Sequence, residues 1–282
     1  MILEKARAKI NLTLDVGARR ADGYHDLESV MQTIDLCDFV TLEDADAGIG
    51  ISVNVAFVPR DQRNIAHRAA TCLMRRVGIA RGVHIDIDKR IPIAAGLAGG
   101  SADGAAVLRG LNRLWDLRLS VQELVDIAAE VGSDVPFCVE GGCAVARGRG
   151  ERLEPVAQGA RFWIVLAKPP LSVSTADVYA AFDGYDGPAT PPGTAAVRQM
   201  LEQGQLLAVM DALCNGLEPV TCGLYPEVAR LRDLMERLAG RRALMSGSGP
   251  SVFVPFVRES RARKVFTELR PLYKEVFLCQ TC

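Results

Sequence analysis

The sequence predicts an α+β chain of two domains, and three observations carry that expectation. Strand periods and helix periods occur in both halves without strict one-to-one alternation. At 282 residues and 49% hydrophobic content, the chain is long enough to bury two sizeable cores. The second half runs strand, helices, strand, strand, helix, strand, the order of a ferredoxin-like split βαβ unit. The expected domains are residues 1–152 and 153–282.

In the first domain, Ala8, Ile10, Leu12, Leu14 and Val16 alternate with Arg7, Lys9, Asn11, Thr13 and Asp15. That is a strand over 6–16 with one polar face, either solvated or presenting the Lys9 cation beside the Asn11 amide. The Asp22-Gly23 pair then favours a turn tipped by Tyr24 and His25, which are either loosely packed rings or a platform for a flat ligand. Residues 27–42 read as strands and 49–58 as another. A helix is expected over 63–77 with Asn64 as its N-cap. Val83, Ile85 and Ile87 alternate with His84, Asp86 and Asp88, the period of a half-buried strand.

The stretch Pro92-Ile93-Ala94-Ala95-Gly96-Leu97-Ala98-Gly99-Gly100-Ser101-Ala102 leaves that strand and enters a helix marked by Ala105, Ala106, Leu108, Leu111 and Leu114. Glycines expose backbone N–H groups, and a helix start adds unpaired donors and roughly half a positive charge, so phosphate could sit there. An ordinary strand–turn–helix connection uses the same residues. A Walker A loop is excluded because no Lys follows the glycines, and the Gly-x-Gly-x-x-Gly dinucleotide pattern is absent.

Further along, Ser120-Val121-Gln122-Glu123 is a capping box, with Gly132 closing the helix it opens. Asp134 follows on a tight connection and is either the cap of the next helix or a catalytic carboxylate. Gly141, Gly142, Gly148 and Gly150 mark turns. The second domain is expected to hold a strand at 161–167, a helix at 174–182 and a surface loop at 183–193. Helices at 195–213 and 226–238 follow, then strands near 243–245 and at 252–256, a helix at 259–269 and a strand at 275–279.

Composition excludes several classes. A net charge of −1 argues against a nucleic-acid surface, and Arg147, Arg149 and Arg152 form only a short patch, a solvated loop or a phosphate-facing rim. No apolar run approaches a membrane span, and Lys5, Arg7 and Lys9 interrupt any signal-peptide core, so a cytoplasmic protein with reduced cysteines is expected. Among 8 cysteines only Cys279 and Cys282 have a metal-like or redox-like spacing, without a partner pair. No Gly-x-Ser-x-Gly occurs, which removes a serine hydrolase of that type.

The Pro92–Ala102 stretch resembles the phosphate motif Pro-x-x-x-Gly-Leu-x-Gly-Gly-Ser-Ser of the GHMP kinase superfamily. Residues 8–12 (Ala-Lys-Ile-Asn-Leu), 20–25 (Arg-Ala-Asp-Gly-Tyr-His), 132–137 (Gly-Ser-Asp-Val-Pro-Phe) and 245–250 (Met-Ser-Gly-Ser-Gly-Pro) support the resemblance in the superfamily's order. Within it, the Ala-Lys-Ile-Asn and Gly-Tyr-His stretches are similar to members acting on a cytidine diphosphate-linked methylerythritol.

The resemblance implies an N-terminal ATP-binding domain like the second domain of ribosomal protein S5, a C-terminal ferredoxin-like domain, and ATP-dependent phosphorylation of the methylerythritol 2-hydroxyl with Mg²⁺. Lys9 and Asp134 match the catalytic pair. Asp134 would accept the hydroxyl proton and Lys9 would orient it and neutralise charge. Tyr24 and His25 match the cytosine clamp, Tyr179, four residues after Thr175, matches a second ring, and Asn11 and Thr175 join the substrate set. Asn64 and Lys89 are the adenine-side candidates; no metal ligand is assigned.

Two departures stand out. Ala102 replaces the usual second Ser, leaving the Ser101 hydroxyl, and Gly104 sits where Ala is usual, at about 1 kcal/mol if exposed. The expected partners are ATP and the small-molecule acceptor, with no nucleic acid or membrane, on a monomer or homodimer. The alternatives are a superfamily member with another acceptor, such as homoserine or mevalonate, or a silent ligand sensor on the same scaffold.

Overall fold

A computed structural model describes residues 1–156 and 162–282. The chain opens with strands β1 (Ile2–Asn11), β2 (Thr13–Arg19), β3 (His25–Ala45) and β4 (Ile49–Val53), then helix α1 (Ile65–Val77), β5 (Gly82–Asp88), α2 (Gly99–Leu114), α3 (Val121–Val131) and α4 (Val135–Glu140). It continues through β6 (Cys143–Gly148), β7 (Arg152–Pro155), β8 (Trp163–Lys168), α5 (Thr175–Asp183), α6 (Thr194–Glu202), α7 (Leu206–Asp211) and β9 (Cys214–Asn215). The last elements are α8 (Glu218–Leu224), α9 (Pro226–Ala239), β10 (Leu244–Met245), β11 (Val252–Phe256), α10 (Glu259–Leu269) and β12 (Glu275–Gln280).

Two compact units interleave along this order. One takes Met1–Ala8, Leu36–Ile91 and Ala98–Gly141; the other takes Lys9–Asp35, Pro92–Leu97 and Gly142–Cys282. A single cut near residue 152 does not describe these units, because β3 is 21 residues long and contributes one half to each.

In the first unit, β5 pairs in parallel with β4 and antiparallel with residues 39–45 of β3. Ile85 and Ile87 of β5 and Val40 and Leu42 of β3 are all buried, so the alternation read from the sequence is the core face. Asn64 caps α1 by accepting from the Ala66 N–H at 2.9 Å, and Gly78 closes it in the left-handed region. Ser120 and Glu123 form the expected reciprocal box on α3. Gly104 is not an exposed weak point: it is buried, and a Cβ there would come within 2.9 Å of the Ile65 side chain, so an alanine would require Ile65 to shift.

In the second unit, β3 pairs antiparallel with β2 and β6, β6 with β7, and β2 in parallel with β9. A separate four-stranded antiparallel sheet has the order β10-β11-β8-β12. That order is the ferredoxin-like arrangement expected from the sequence. Val165, Ala167, Val252 and Val254 on this sheet join Val228, Leu231 and Met235 of α9 and Ala262, Val265 and Leu269 of α10 in one buried core.

Several expected boundaries move. The 6–16 strand is two strands with a bend at Leu12, and the 49–58 strand stops at Val53. The helix expected at 195–213 is α6 and α7, interrupted where Gly204 takes φ 68°. Elements β6, β7, β9 and α8 appear where no element was expected, although Gly141, Gly142, Gly148 and Gly150 all adopt the positive φ of turns. Arg161, at the start of the expected 161–167 strand, lies outside the described residues.

Candidate active site

The polar face of the first strands is buried, not solvated. Arg7 is exposed, but Lys9, Asn11 and Thr13 are 5%, 1% and 0% exposed. Lys9 Nζ donates to Asn11 Oδ1 at 2.8 Å, and Asn11 Nδ2 donates to Ser29 Oγ at 2.8 Å. Ser29 in turn donates to the Thr13 carbonyl. Because Ser29 accepts the amide N–H, the Asn11 oxygen is the atom turned toward Lys9. Lys9 also donates its backbone N–H to the Leu97 carbonyl at 3.1 Å, tying this strand to the Pro92–Leu97 segment of its own unit.

That segment is seated on the turn between β10 and β11. Gly96 has φ 74°, and a Cβ on it would fall 2.1 Å from the Ser246 carbonyl oxygen, so glycine is required on both counts. Ser246 Oγ donates to the Gly96 carbonyl at 3.0 Å, and Ser251 N–H donates to the Ala95 carbonyl at 3.3 Å. Asn215 holds the turn from below, donating to the Met245 and Gly247 carbonyls at 2.8 Å each. Ser248 Oγ lies 2.8 Å from Thr175 Oγ at the start of α5. Ser246, Ser248 and Asn215 were not among the sequence candidates; the Ser-Gly-Ser-Gly pattern was the available signal for the first two.

The rings collect at one corner of the same unit. His25 is 6% exposed and stacks on Tyr179 with centroids 5.3 Å apart and an interplanar angle of 24°, while Phe182 meets it edge-on. His25 and Tyr179 therefore touch each other and leave no slot between them. Tyr24 is 55% exposed, with the Arg149 guanidinium 5.3 Å above its ring. Asp183 holds His25 from behind, Oδ1 to Nε2 at 2.9 Å, and its other oxygen pairs with Arg19 at 3.2 Å. In the basic patch, Arg147 pairs with Glu28 and Glu154.

In the other unit, Ala98 is the N-cap of α2 with φ 55°, a left-handed conformation that costs a non-glycine residue roughly 1 kcal/mol. Its methyl group offers no acceptor, so the amides of Gly99, Gly100 and Ser101 receive no side-chain cap from it. Ala102 is buried. The Asn64 amide is used inside the fold, capping α1 and donating to the Pro59 carbonyl at 2.7 Å. Lys89 lies between Asp38 and Asp103. Burial opposes the Lys89 charge, but the two carboxylates outweigh it and raise its pKa. Asp103 is pushed up to about 8, by burial first and by the neighbouring Asp38 charge, against the pull of Lys89. Asp134 precedes α4 in helical conformation, and its side chain makes no capping bond to that helix. Among the described residues, no group of three or more His, Cys, Asp and Glu is placed to hold a metal ion, and no helix is long and apolar enough to cross a membrane.

Residues 64–142 match the model of the GHMP kinases N terminal domain, and residues 195–275 match that of the GHMP kinases C terminal domain. A 4-diphosphocytidyl-2-C-methyl-D-erythritol kinase of Shouchella clausii (strain KSM-K16) is 50% identical over 274 residues, 97% of this chain and 92% of its own. One of Exiguobacterium sibiricum is 47% identical over 278 residues, 98% of this chain and 96% of its own. A crystal structure of 4-(cytidine 5'-diphospho)-2C-methyl-D-erythritol kinase superposes with a TM-score of 0.83 at 34% identity, over 99% of each chain. On the strength of near-full-length identity at this level, the chain belongs to the 4-diphosphocytidyl-2-C-methyl-D-erythritol kinase family of GHMP kinases.

Proposed function

We propose that the protein transfers the γ-phosphoryl group of ATP to the 2-hydroxyl of 4-diphosphocytidyl-2-C-methyl-D-erythritol, the kinase step of the non-mevalonate isoprenoid route, in the cytoplasm. The aromatic corner carries the choice of acceptor. A base-bearing acceptor makes use of His25 stacked on Tyr179 and of the exposed Tyr24 ring, whereas homoserine or mevalonate has no flat group to offer them.

Phosphoryl transfer needs positioned reactants and neutralised charge more than covalent chemistry. Asp134 accepts the proton of the attacking hydroxyl. Lys9, aimed by Asn11, neutralises charge that develops at the acceptor. The triphosphate lies on the Pro92–Ala102 loop, whose α2 end offers amides without a side-chain cap. Ser101 supplies a hard hydroxyl oxygen in the first turn of α2, a donor type that suits Mg²⁺ arriving on the nucleotide. That ion would shield the triphosphate charge. Tyr24, His25, Thr175 and Tyr179 form the cytidine side, and Asn64 and Lys89 support the nucleotide loop from outside it.

Release of ADP is the direct test. Turnover is expected with ATP and the cytidine diphospho-methylerythritol and not with homoserine or mevalonate. Phosphorylation of either of the latter at a comparable rate would transfer the protein to another acceptor, and ATP binding without turnover on any of them would make it a sensor.

A further inference from the structure

Lys89 and Asp103 flank the glycine-rich loop in sequence, and a third residue joins them. Lys89 Nζ donates to Asp103 Oδ2 at 2.7 Å and to Asp38 Oδ2. The other oxygen of Asp38 accepts the backbone N–H groups of Arg90 and Ile91, the last two residues before Pro92. On the far side of the loop, a Cβ on Gly99 would lie 3.3 Å from Lys89 Nζ and 3.1 Å from the Ile91 side chain, so the first turn of α2 rests against the ammonium group. We propose that Asp38, Lys89 and Asp103 are a hydrogen-bonded clasp that holds the two stems of the phosphate loop at the spacing ATP requires, which makes Asp38 and Asp103 positioning residues for the nucleotide. The clasp rests on the kinase reading above for its ligand.

Stability alone does not account for the cluster. The Lys89, Asp38 and Asp103 side chains are 6%, 0% and 5% exposed, and two acidic groups share one cation. Desolvating such a group costs several kcal/mol, and well-packed apolar residues often replace it without loss. Asp38 is fully occupied by the ammonium and two amides, whereas Asp103 Oδ1 is buried without a hydrogen-bond partner. What the arrangement supplies is geometry. Asp38 grips the entering backbone, Asp103 is carried by α2 itself, and the cation sets the distance between them. Backbone donors aimed at a triphosphate must hold position to about half an ångström to be effective.

Asp103→Ala, which removes the contact with Lys89 whether or not the carboxyl holds its proton, and Asp38→Asn in the full-length enzyme test the clasp, with ATP and the alcohol substrate varied in turn. The expected result is a rise of about tenfold in KM for ATP, with KM for the alcohol within about twofold, on proteins that still melt cooperatively. Lys89→Arg, which keeps a cation able to reach both carboxylates, is expected to retain more ATP affinity than Lys89→Met. A purely structural role would lower the melting temperature and leave both KM values in place. That outcome, or an equal rise in both KM values, overturns the clasp. If neither aspartate variant folds, the lysine pair decides, and equal KM for ATP in the Arg and Met variants overturns it. Calorimetric titration with ATP alone runs beside these assays. If the wild-type enzyme is inactive on the cytidine acceptor but the variants still lose ATP affinity, the proposed acceptor falls and the clasp stands.

Discussion

His25 Nε2 lies 2.9 Å from Asp183 Oδ1, and this contact holds the ring that stacks on Tyr179. A carboxylate only accepts at that distance, so His25 Nε2 donates to it and the ring is held in one orientation. Asp183→Ala should therefore raise KM for the cytidine-bearing acceptor by roughly tenfold, while KM for ATP stays put. Asp183→Asn, whose amide oxygen can still accept from Nε2, should lose less. Steady-state kinetics with each substrate varied checks both, and an effect on ATP alone would remove Asp183 from the acceptor side.

Asp134 allows chemistry to be separated from helix capping. Its side chain makes no capping bond to α4, so replacing it does not remove a cap. Asp134→Asn should fold and bind both substrates but lose kcat by roughly 10²–10⁴, the usual worth of a positioned general base. Single-turnover rates with enzyme in excess measure this directly. A near-normal rate would assign proton removal to another group.

What could be read from the sequence divides by the range of the interaction. Helix ends were legible because their signals are local: Asn64, and Ser120 with Glu123, each bond within a few residues, and α10 occupies Glu259–Leu269 as expected. The ferredoxin-like sheet followed from element order. The length of β3 did not, because Asp35, Cys37 and Asp38 interrupt the hydrophobic pattern that would have marked one continuous strand. The candidate site shows the same divide. Lys9, Asp134, Tyr24 and His25 stood out through short motifs, but their supports did not. Ser29 fixes the Asn11 amide from 18 residues away and Asp183 reaches His25 across 158. Only the fold brings such pairs together, and neither partner looks unusual in sequence.

Gly96 is where the loop tolerates least. Its φ of 74° and the 2.1 Å approach of a Cβ to the Ser246 carbonyl act together, and both are backbone constraints that no rotamer change relieves. Gly96→Ala should cost at least about 2 kcal/mol in urea unfolding and weaken ATP binding with it. Gly23→Ala, also at positive φ but with nothing within 4 Å, serves as the control and should cost less than half as much. Equal losses would mean that the conformation, not the contact with Ser246, sets the requirement.

Asp103 gives the fold a pH dependence of definite sign. Its pKa is raised from an ordinary 3.8 to about 8 in the folded protein, chiefly by burial, with Asp38 adding to the shift and Lys89 opposing it. Below about pH 4 folded and unfolded chains both hold this proton, and the contribution to stability is fully present. Between there and about pH 8 the unfolded chain releases the proton while the folded chain keeps it, so unfolding is progressively favoured as pH rises. Above that range both forms are ionised and the contribution is gone. Urea midpoints of the wild-type protein and Asp103→Asn, measured from pH 5 to about pH 8.5, should therefore differ in slope, with the wild type declining more steeply as pH rises. Parallel curves would mean that Asp103 is ionised throughout, with Lys89 outweighing burial and Asp38.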